Sequence, residues 1–248
     1  MNSERIKSVP NPTLVTLRDN KAQWNLPEFR RKGYRDLHRI NRYGLLFRSD
    51  AVLVLESNIN EEIGKIPSVE KMTANKAFCS LIVGQGQNIL YEKYANDFHE
   101  FQPQTIMSIT KLFLNLFIGE LLEQGAIELD KTIGFYLPNI GSGYAEASVQ
   151  DVLNMNVINS FSEDYTDPYT SSFLQESVGG WRLPDELGEN QNLEEFLNAI
   201  KADEGNSLKN SSDLAFYKSA NTDVLALLVE KVSGRDLREW VLSAVEAI

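Results

Sequence analysis

A mixed α/β (α+β) fold is the class this sequence predicts, and three observations predict it. Residues 78–83 and 88–94 are apolar runs separated by Gly84-Gln85-Gly86-Gln87, the pattern of a β-hairpin with a glycine-bearing loop. Residues 112–122 are an apolar run of helical length that closes at Gly125. Residues 223–232 are a second such run, closed by Ser233-Gly234. With 248 residues, 42% of them apolar, the chain can build a sizeable core in one large domain or two modest ones.

Taken in order, residues 1–50 are basic and spotted with proline. Trp24, Phe29, Tyr34, Leu37 and Ile40 are spaced as helix anchors, which puts Arg30, Arg31, Lys32 and Arg35 on the solvent side. Residues 45–55 read as strand or short buried helix, a choice that periodicity does not make. In the hairpin, the Gly84-x-Gly86 pair is a turn and not a phosphate loop, since no helix-opening third glycine follows. Proline at 138 breaks the pattern of Phe135-Tyr136-Leu137. Ser148-Val149-Gln150-Asp151 is a helix start, with Val152, Leu153 and Met155 facing inward. Residues 156–192 are rich in Asn, Ser, Asp, Gly and aromatics, the length and composition of a binding loop or lid. Residues 193–200 form a short amphipathic helix, and a last helical pattern runs from 237 to 248 without a cap.

Charge and cysteine usage exclude several functions. The net charge of −11 argues against a nucleic-acid surface, which needs a basic stripe. The charge is uneven: residues 1–50 carry 11 basic and 5 acidic side chains, which reads first as solvated surface charge and otherwise as a segment that docks on the rest of the chain or serves as an interaction tail. One cysteine, Cys79, permits no internal disulfide, and its apolar neighbours make it a small core residue. No His-x-x-x-His or glutamate cluster suggests zinc, so no metal is expected. Residues 1–7 lack the apolar stretch of a signal peptide, and no run of about 18 apolar residues spans a membrane. A cytoplasmic location is the expectation.

The segment with chemistry in it is Ser108-Ile109-Thr110-Lys111. A serine and a lysine three apart share a helix face, about 5–6 Å apart, within reach of proton transfer. The spacing alone is weak. With 20 serines and 13 lysines, about one such match arises by chance, and Ser68-Val69-Glu70-Lys71 is another. Context separates them: Ser68 sits among charged residues, whereas Ser108 opens a helix that is apolar nearly all round, the mark of a buried helix. Burial favours the neutral amine of a lysine, which is a usable base. The helix N-terminus favours negative charge developing at Ser108. A plain N-cap serine is the competing reading.

Phe216-Tyr217-Lys218-Ser219-Ala220-Asn221, leading into the second apolar helix, adds the missing half. Together the two segments resemble the penicillin-recognising serine hydrolases: class C β-lactamases, D,D-peptidases and related esterases. These carry Ser-x-x-Lys on a central helix and, about a hundred residues later, a Tyr-x-Asn or Tyr-x-Ser turn. Residues 105–111, 140–144, 161–168 and 180–182 look most like the 6-aminohexanoate-dimer hydrolase branch. The resemblance spans about residues 78–234. It implies a β-lactamase/transpeptidase-like fold, with an antiparallel sheet flanked by helices and a helical subdomain. It also implies two regions: residues 1–75 as an N-terminal segment packing on the catalytic domain, and residues 76–248 as the serine hydrolase domain.

Carried over by resemblance, Ser108 is the acylated nucleophile, Lys111 its proton acceptor and Tyr217 the phenol that passes a proton to the leaving group. Ser219 stands where many relatives have asparagine; it keeps a donor and an acceptor but loses the amide's reach, which weighs against strong β-lactamase activity. Tyr165 and Trp181 in the lid are the aromatic substrate contacts, with loop packing as their other reading. Tyr94-Ala95-Asn96 and Tyr169-Thr170-Ser171 are set aside because neither leads into an apolar helix. The family's third motif, Lys/His-Thr/Ser-Gly or a glycine-rich equivalent, does not follow Tyr217. That absence and the uncapped end suggest a chain truncated at its C-terminus, without the sheet strands that complete the oxyanion hole. A Ser-His-Asp site is disfavoured, since Gly-x-Ser-x-Gly is missing and His38 and His99 both precede Ser108.

The expected function is cleavage of a small amide or ester through an acyl-serine, with no cofactor. The alternatives are a β-lactamase or D,D-peptidase, or an inactive relative that binds ligand. A small molecule is the expected partner, with no nucleic acid and no membrane; assembly as a homodimer is left open.

Overall fold

The computed structural model describes residues 20–41, 49–183, 191–205, 207–211 and 214–246. After a helical stretch at residues 20–23 come a short helix α1 (Arg30–Arg35) and a two-residue strand β1 (Glu56–Ser57). Of the ambiguous run at 45–55, residues 45–48 lie outside the described residues. Residues 49–55 are neither helix nor strand. Helix α2 (Pro67–Thr73) holds Ser68 in its first turn, with Pro67 at the position where a missing N–H costs nothing.

The hairpin forms as the sequence predicts, from β2 (Ser80–Gln85) and β3 (Asn88–Tyr94) around a tight turn at Gly86. The register slips between Val83 and Gly84, a bulge where a residue without a side chain is tolerated. The sheet is not purely antiparallel. Strand β1 adds to β3 in parallel, giving the order β1-β3-β2. The intervening α2 and β2 supply the length that a parallel return needs.

The helical region holds the core. Helix α3 (Leu112–Glu123) buries Leu114, Phe117, Ile118 and Leu121, each worth about 1.5–3 kcal/mol of transfer free energy. The expectation of a helix buried all round is corrected, for Leu112, Leu116 and Leu122 are exposed. A run apolar on every face says that burial is tolerated, not which face is used.

Short helices follow: α4 (Ile133–Tyr136), α5 (Ser142–Ala145) and α6 (Val149–Leu153). Ser148 caps α6 by accepting from the Asp151 N–H, as its sequence predicts. Within the expected lid lies a further helix, α7 (Ser171–Val178), so the segment is not one continuous loop. Helix α8 (Leu193–Ala199) starts on an Asn192–Glu195 capping box. Helix α9 (Ser219–Ser233) begins four residues earlier than its apolar run and ends at Gly234, whose φ of 67° is the left-handed cap that glycine adopts without strain. It sends Val224, Leu225, Leu228 and Val229 into the core beside α3, α6 and α8. Helix α10 (Leu237–Glu246) packs Trp240 on Phe117.

One close approach fixes how α5 meets α8. A Cβ on Gly141 would come within 2.2 Å of the Ile200 carbonyl oxygen and 2.7 Å of that of Asn198. The Gly143 N–H donates to that same Ile200 carbonyl at 3.0 Å, and the next residue, Tyr144, is fully buried.

The N-terminal arginines do not all face solvent. Arg31 Nη2 sits 2.5 Å and Arg35 Nη2 3.1 Å from the Asp97 carboxylate, which follows the hairpin. Arg35 also lies over the Phe98 ring at 5.0 Å and is largely buried. The hydrogen bond from Arg31, and the positive charge of both arginines, hold the Asp97 carboxyl well below the usual carboxylate range. In the described part of the basic segment, Arg31 and Arg35 therefore dock on residues after the hairpin rather than lying as solvated surface charge.

Candidate active site

The segment carrying Ser108 is a 3₁₀ turn, Met107–Lys111, running straight into α3. Met107 has φ 46°, a left-handed conformation that costs a methionine about 1–3 kcal/mol. The Thr105 side chain accepts from the Met107 N–H, and Thr110 donates to the Met107 carbonyl at 2.6 Å, so the strained residue is bonded from both sides. The chain therefore bends sharply just before Ser108, leaving its side chain exposed at the head of the helix.

The turn at 216–221 is anchored residue by residue. The Phe216 N–H donates to the Met155 carbonyl at 2.7 Å; Met155 is itself left-handed, with φ 53°. Lys218 Nζ is buried and donates to the Phe161 carbonyl at 2.6 Å. Burial lowers the Lys218 amine from its ordinary value, against the raising influence of Asp203 and Glu163. The Ser219 N–H and Oγ both donate to Glu163, at 2.9 and 2.7 Å. Asn221 is wholly buried, accepting from Tyr144 Oη at 2.8 Å and donating to the Val152 carbonyl at 3.3 Å. With 216, 218, 219 and 221 tied inward, Tyr217 is left projecting outward.

It projects onto the serine. Tyr217 Oη donates to Ser108 Oγ at 2.8 Å, and Lys111 Nζ donates to the same oxygen at 3.1 Å. The lysine also lies over the Tyr217 ring at 5.6 Å. The structure thus brings together three residues that lie as far as 109 positions apart in sequence. Burial pushes the Tyr217 phenol up, but hydrogen bonds with Ser108, Ser219 and Lys111 and the lysine's positive charge outweigh it, so the phenol sits below its ordinary value. A hydroxyl in hydrogen-bond contact with an amine and an acidified phenol can lose and regain a proton without water carrying it.

Of the other predicted contacts, Ser219 lies at the first position of α9 and is held by Glu163. Tyr165 is exposed, and its hydroxyl donates to Glu163 at 2.8 Å, so it reaches the cluster through that carboxylate. Trp181 takes no part in these hydrogen bonds. Its ring packs on Trp24 at 6.1 Å, its carbonyl accepts from Trp24 Nε1 at 2.8 Å, and it lines a cavity of about 350 Å³ with Tyr34, Arg35, His38 and Thr105. Among the described residues no group of His, Cys, Asp and Glu has the arrangement of a metal site.

Sequence reasoning missed two acids. Glu163 lies in the loop that resembles the 6-aminohexanoate-dimer hydrolase branch, yet nothing in its neighbours signals contact with Ser219, 56 residues away. Asp223 is one helical turn beyond Ser219 on α9, and Gln175 of α7 donates to its carboxylate. Burial, reinforced by the Glu163 charge and opposed by Gln175 and Lys111, pushes the Asp223 carboxyl up to about 6. An acid raised in the folded state costs stability once it ionises, so the cost is absent below the unfolded value near 4 and complete above about 6. Asp223→Asn is therefore expected to raise the urea unfolding midpoint at pH 7–8, with the gain vanishing at pH 4; equal gains at both values would contradict the assignment.

The family model described as Beta-lactamase matches residues 74–245. A 6-aminohexanoate-dimer hydrolase from Paenarthrobacter ureafaciens is 30% identical over 171 residues, covering 68% of this chain and 42% of that protein. A solved structure from Bacillus anthracis, described as a candidate 6-aminohexanoate-dimer hydrolase, superposes with a TM-score of 0.75 at 19% identity, over 96% of this chain and 63% of the other. The chain thus spans less than two thirds of the length of either. Among the described residues no helix is long and apolar enough to cross a membrane.

Proposed function

The chain belongs to the Beta-lactamase family, and from that premise we propose that it hydrolyses a small amide or ester through an acyl-Ser108 intermediate. The observation that carries the reading is the convergence on one oxygen: Ser108 Oγ lies 3.1 Å from Lys111 Nζ and 2.8 Å from Tyr217 Oη. Lys111 takes the Ser108 proton as Oγ bonds to the substrate carbonyl carbon. Tyr217, held against both partners, passes a proton to the departing amine or alcohol as the carbonyl re-forms and the acyl-serine remains. Water then adds to the acyl carbon, losing its proton through the same pair, and Ser108 leaves with a proton restored.

The substrate class follows from resemblance to the curated relative. The 30% identity with a 6-aminohexanoate-dimer hydrolase supports a linear amide or an ester over a strained lactam. Ser219 supports the same preference, because its one hydroxyl is engaged by Glu163 and does not extend toward a ring substrate as an asparagine amide would. Tyr165, bonded to Glu163, and Trp181, which lines a cavity with Thr105, are the aromatics offered for a substrate contact.

The test is labelling of the complete protein with a fluorophosphonate, using Ser108→Ala as control. Labelling that depends on Ser108 is the expected result, and its absence would overturn the hydrolase reading in favour of a ligand-binding relative. Nitrocefin, p-nitrophenyl acyl esters and 6-aminohexanoate dimer then rank the substrates; rapid nitrocefin turnover would instead make the protein a β-lactamase.

A further inference from the structure

We propose that Glu163 is the positioning residue of this site: its carboxylate, reaching in from the 161–165 loop, caps α9 and so fixes Tyr217 against Ser108. The inference rests on the Ser108 hydrolase reading. Helix α9 starts with no cap of its own. Lys218 occupies the N-cap position in an extended conformation and makes no side-chain cap bond, and lysine has no acceptor with which to make one. The cap arrives from elsewhere in the chain. Glu163 Oε2 accepts the Ser219 N–H at 2.9 Å and Oε1 accepts the Ser219 hydroxyl at 2.7 Å.

A carboxylate suits this place for two reasons. It puts negative charge at the positive end of a helix 15 residues long. It also accepts at both oxygens, whereas a glutamine would turn a donor toward one of the Ser219 protons. Tyr165 Oη, donating to Oε1 at 2.8 Å, holds the carboxylate from its other side. Two residues back in the same loop, the Phe161 carbonyl takes the Lys218 amine at 2.6 Å. One loop therefore grips the two residues that follow Tyr217, while ahead of it the Phe216 N–H bonds to the Met155 carbonyl and Asn210 Nδ2 donates to the Leu214 carbonyl at 2.6 Å. Without the grip, the phenol loses its register on Ser108, and the acyl-transfer step slows although no reacting group has been removed.

Glu163→Ala, Glu163→Gln and Ser219→Ala test this, with two readouts. Amide exchange over residues 216–222 reads the clamp without any turnover, and is expected to speed at least tenfold in Glu163→Ala and less in Glu163→Gln. Ester hydrolysis and fluorophosphonate labelling read its effect on Ser108: kcat is expected to fall at least tenfold in Glu163→Ala with KM within twofold. The Glu163→Ala/Ser219→Ala pair is expected to be no slower than Glu163→Ala alone, since each acts through the other. Unchanged exchange in both glutamate variants overturns the inference. So does faster exchange with unchanged kcat, which would leave Glu163 a helix cap and nothing more. If Glu163→Ala does not fold, Glu163→Gln decides. If the unaltered protein shows no Ser108-dependent labelling, it is the hydrolase reading that fails, and the clamp is judged by exchange alone.

Discussion

Lys111→Ala is expected to slow fluorophosphonate labelling of Ser108, and hydrolysis of any ester substrate, by about 10²–10⁴-fold, the range over which positioned general bases act. Lys111 Nζ is the only amine hydrogen-bonded to Ser108 Oγ among the described residues, at 3.1 Å. Removing it leaves the Tyr217 phenol, which is a far weaker proton acceptor unless ionised. The loss should also spread to the tyrosine, because the lysine's charge is part of what keeps that phenol below its ordinary value. Rates measured from pH 6 to 10 check this. The slow rate of Lys111→Ala should climb toward high pH as Tyr217 ionises, and Lys111→Ala/Tyr217→Phe should stay flat. A Lys111→Ala rate within threefold of the parent at neutral pH would remove the lysine from the mechanism. Lys111→Arg is the companion test of charge against basicity. Its guanidinium keeps the positive field and cannot deprotonate, so it should be nearly as slow as alanine.

That Ser108, Lys111 and Tyr217 converge is implied by the family resemblance alone; what the sequence shows by itself is the helix starts that carry them, Ser108 at the head of an apolar run and Tyr217 just before another. Helix starts are signalled locally, by caps, prolines and the onset of period 3.6. The hairpin and Ser148 could be read for the same reason. What could not be read is whatever depends on a contact across the fold. Glu163 and Ser219 meet over 56 residues, Gln175 and Asp223 over 48, and Arg31 and Asp97 over 66, none of them in a pattern with a period. The apolar run at α3 misled for a related reason. Composition gave the helix but not the fact that Leu114, Phe117, Ile118 and Leu121 are the buried side. Trp181 was reasonable as a lid aromatic, yet its neighbour Trp24 lies in a segment whose fold no local signal ties to the lid.

Asn221→Ala is expected to be the most destabilising of these substitutions, lowering unfolding free energy by roughly 1–3 kcal/mol before any packing loss is counted. The amide is wholly buried and joins three elements: its oxygen takes the Tyr144 hydroxyl of α5, and its nitrogen serves the Val152 carbonyl of α6. Truncation leaves the buried Tyr144 hydroxyl without that acceptor, whereas the Val152 carbonyl keeps the Met155 N–H at 3.2 Å. Urea unfolding measures the loss, and Tyr144→Phe separates its parts. Removing the phenol hydroxyl leaves Asn221 Oδ1 without that donor, yet should cost less than Asn221→Ala, because Asn221 Nδ2 still reaches Val152. Equal losses would mean that the Val152 bond contributes nothing. The site should feel the change as well, because Asn221 is one of the inward ties of the turn that carries Tyr217. With the protein kept well below its unfolding midpoint, Ser108 labelling in Asn221→Ala is expected to slow, though less than in Lys111→Ala, which removes a group bonded to Ser108 itself.

The three tryptophans fall into two optical groups. Trp24 and Trp181 form a pair 6.1 Å apart, bridged by the Trp24 Nε1 hydrogen bond, across 157 residues of sequence. Trp240 stands by itself in the helical core, on Phe117 and bonded to Ser233. Rings that close couple their electronic transitions, so the pair gives a circular dichroism band that exists only while the N-terminal segment and the far loop are together, whereas Trp240 emission follows the packing of α10 on α3. Trp240→Phe and Trp24→Phe make each signal readable alone. Unfolding followed at both would reveal whether these two parts of the chain melt as one cooperative body or in sequence, and which of them gives way first.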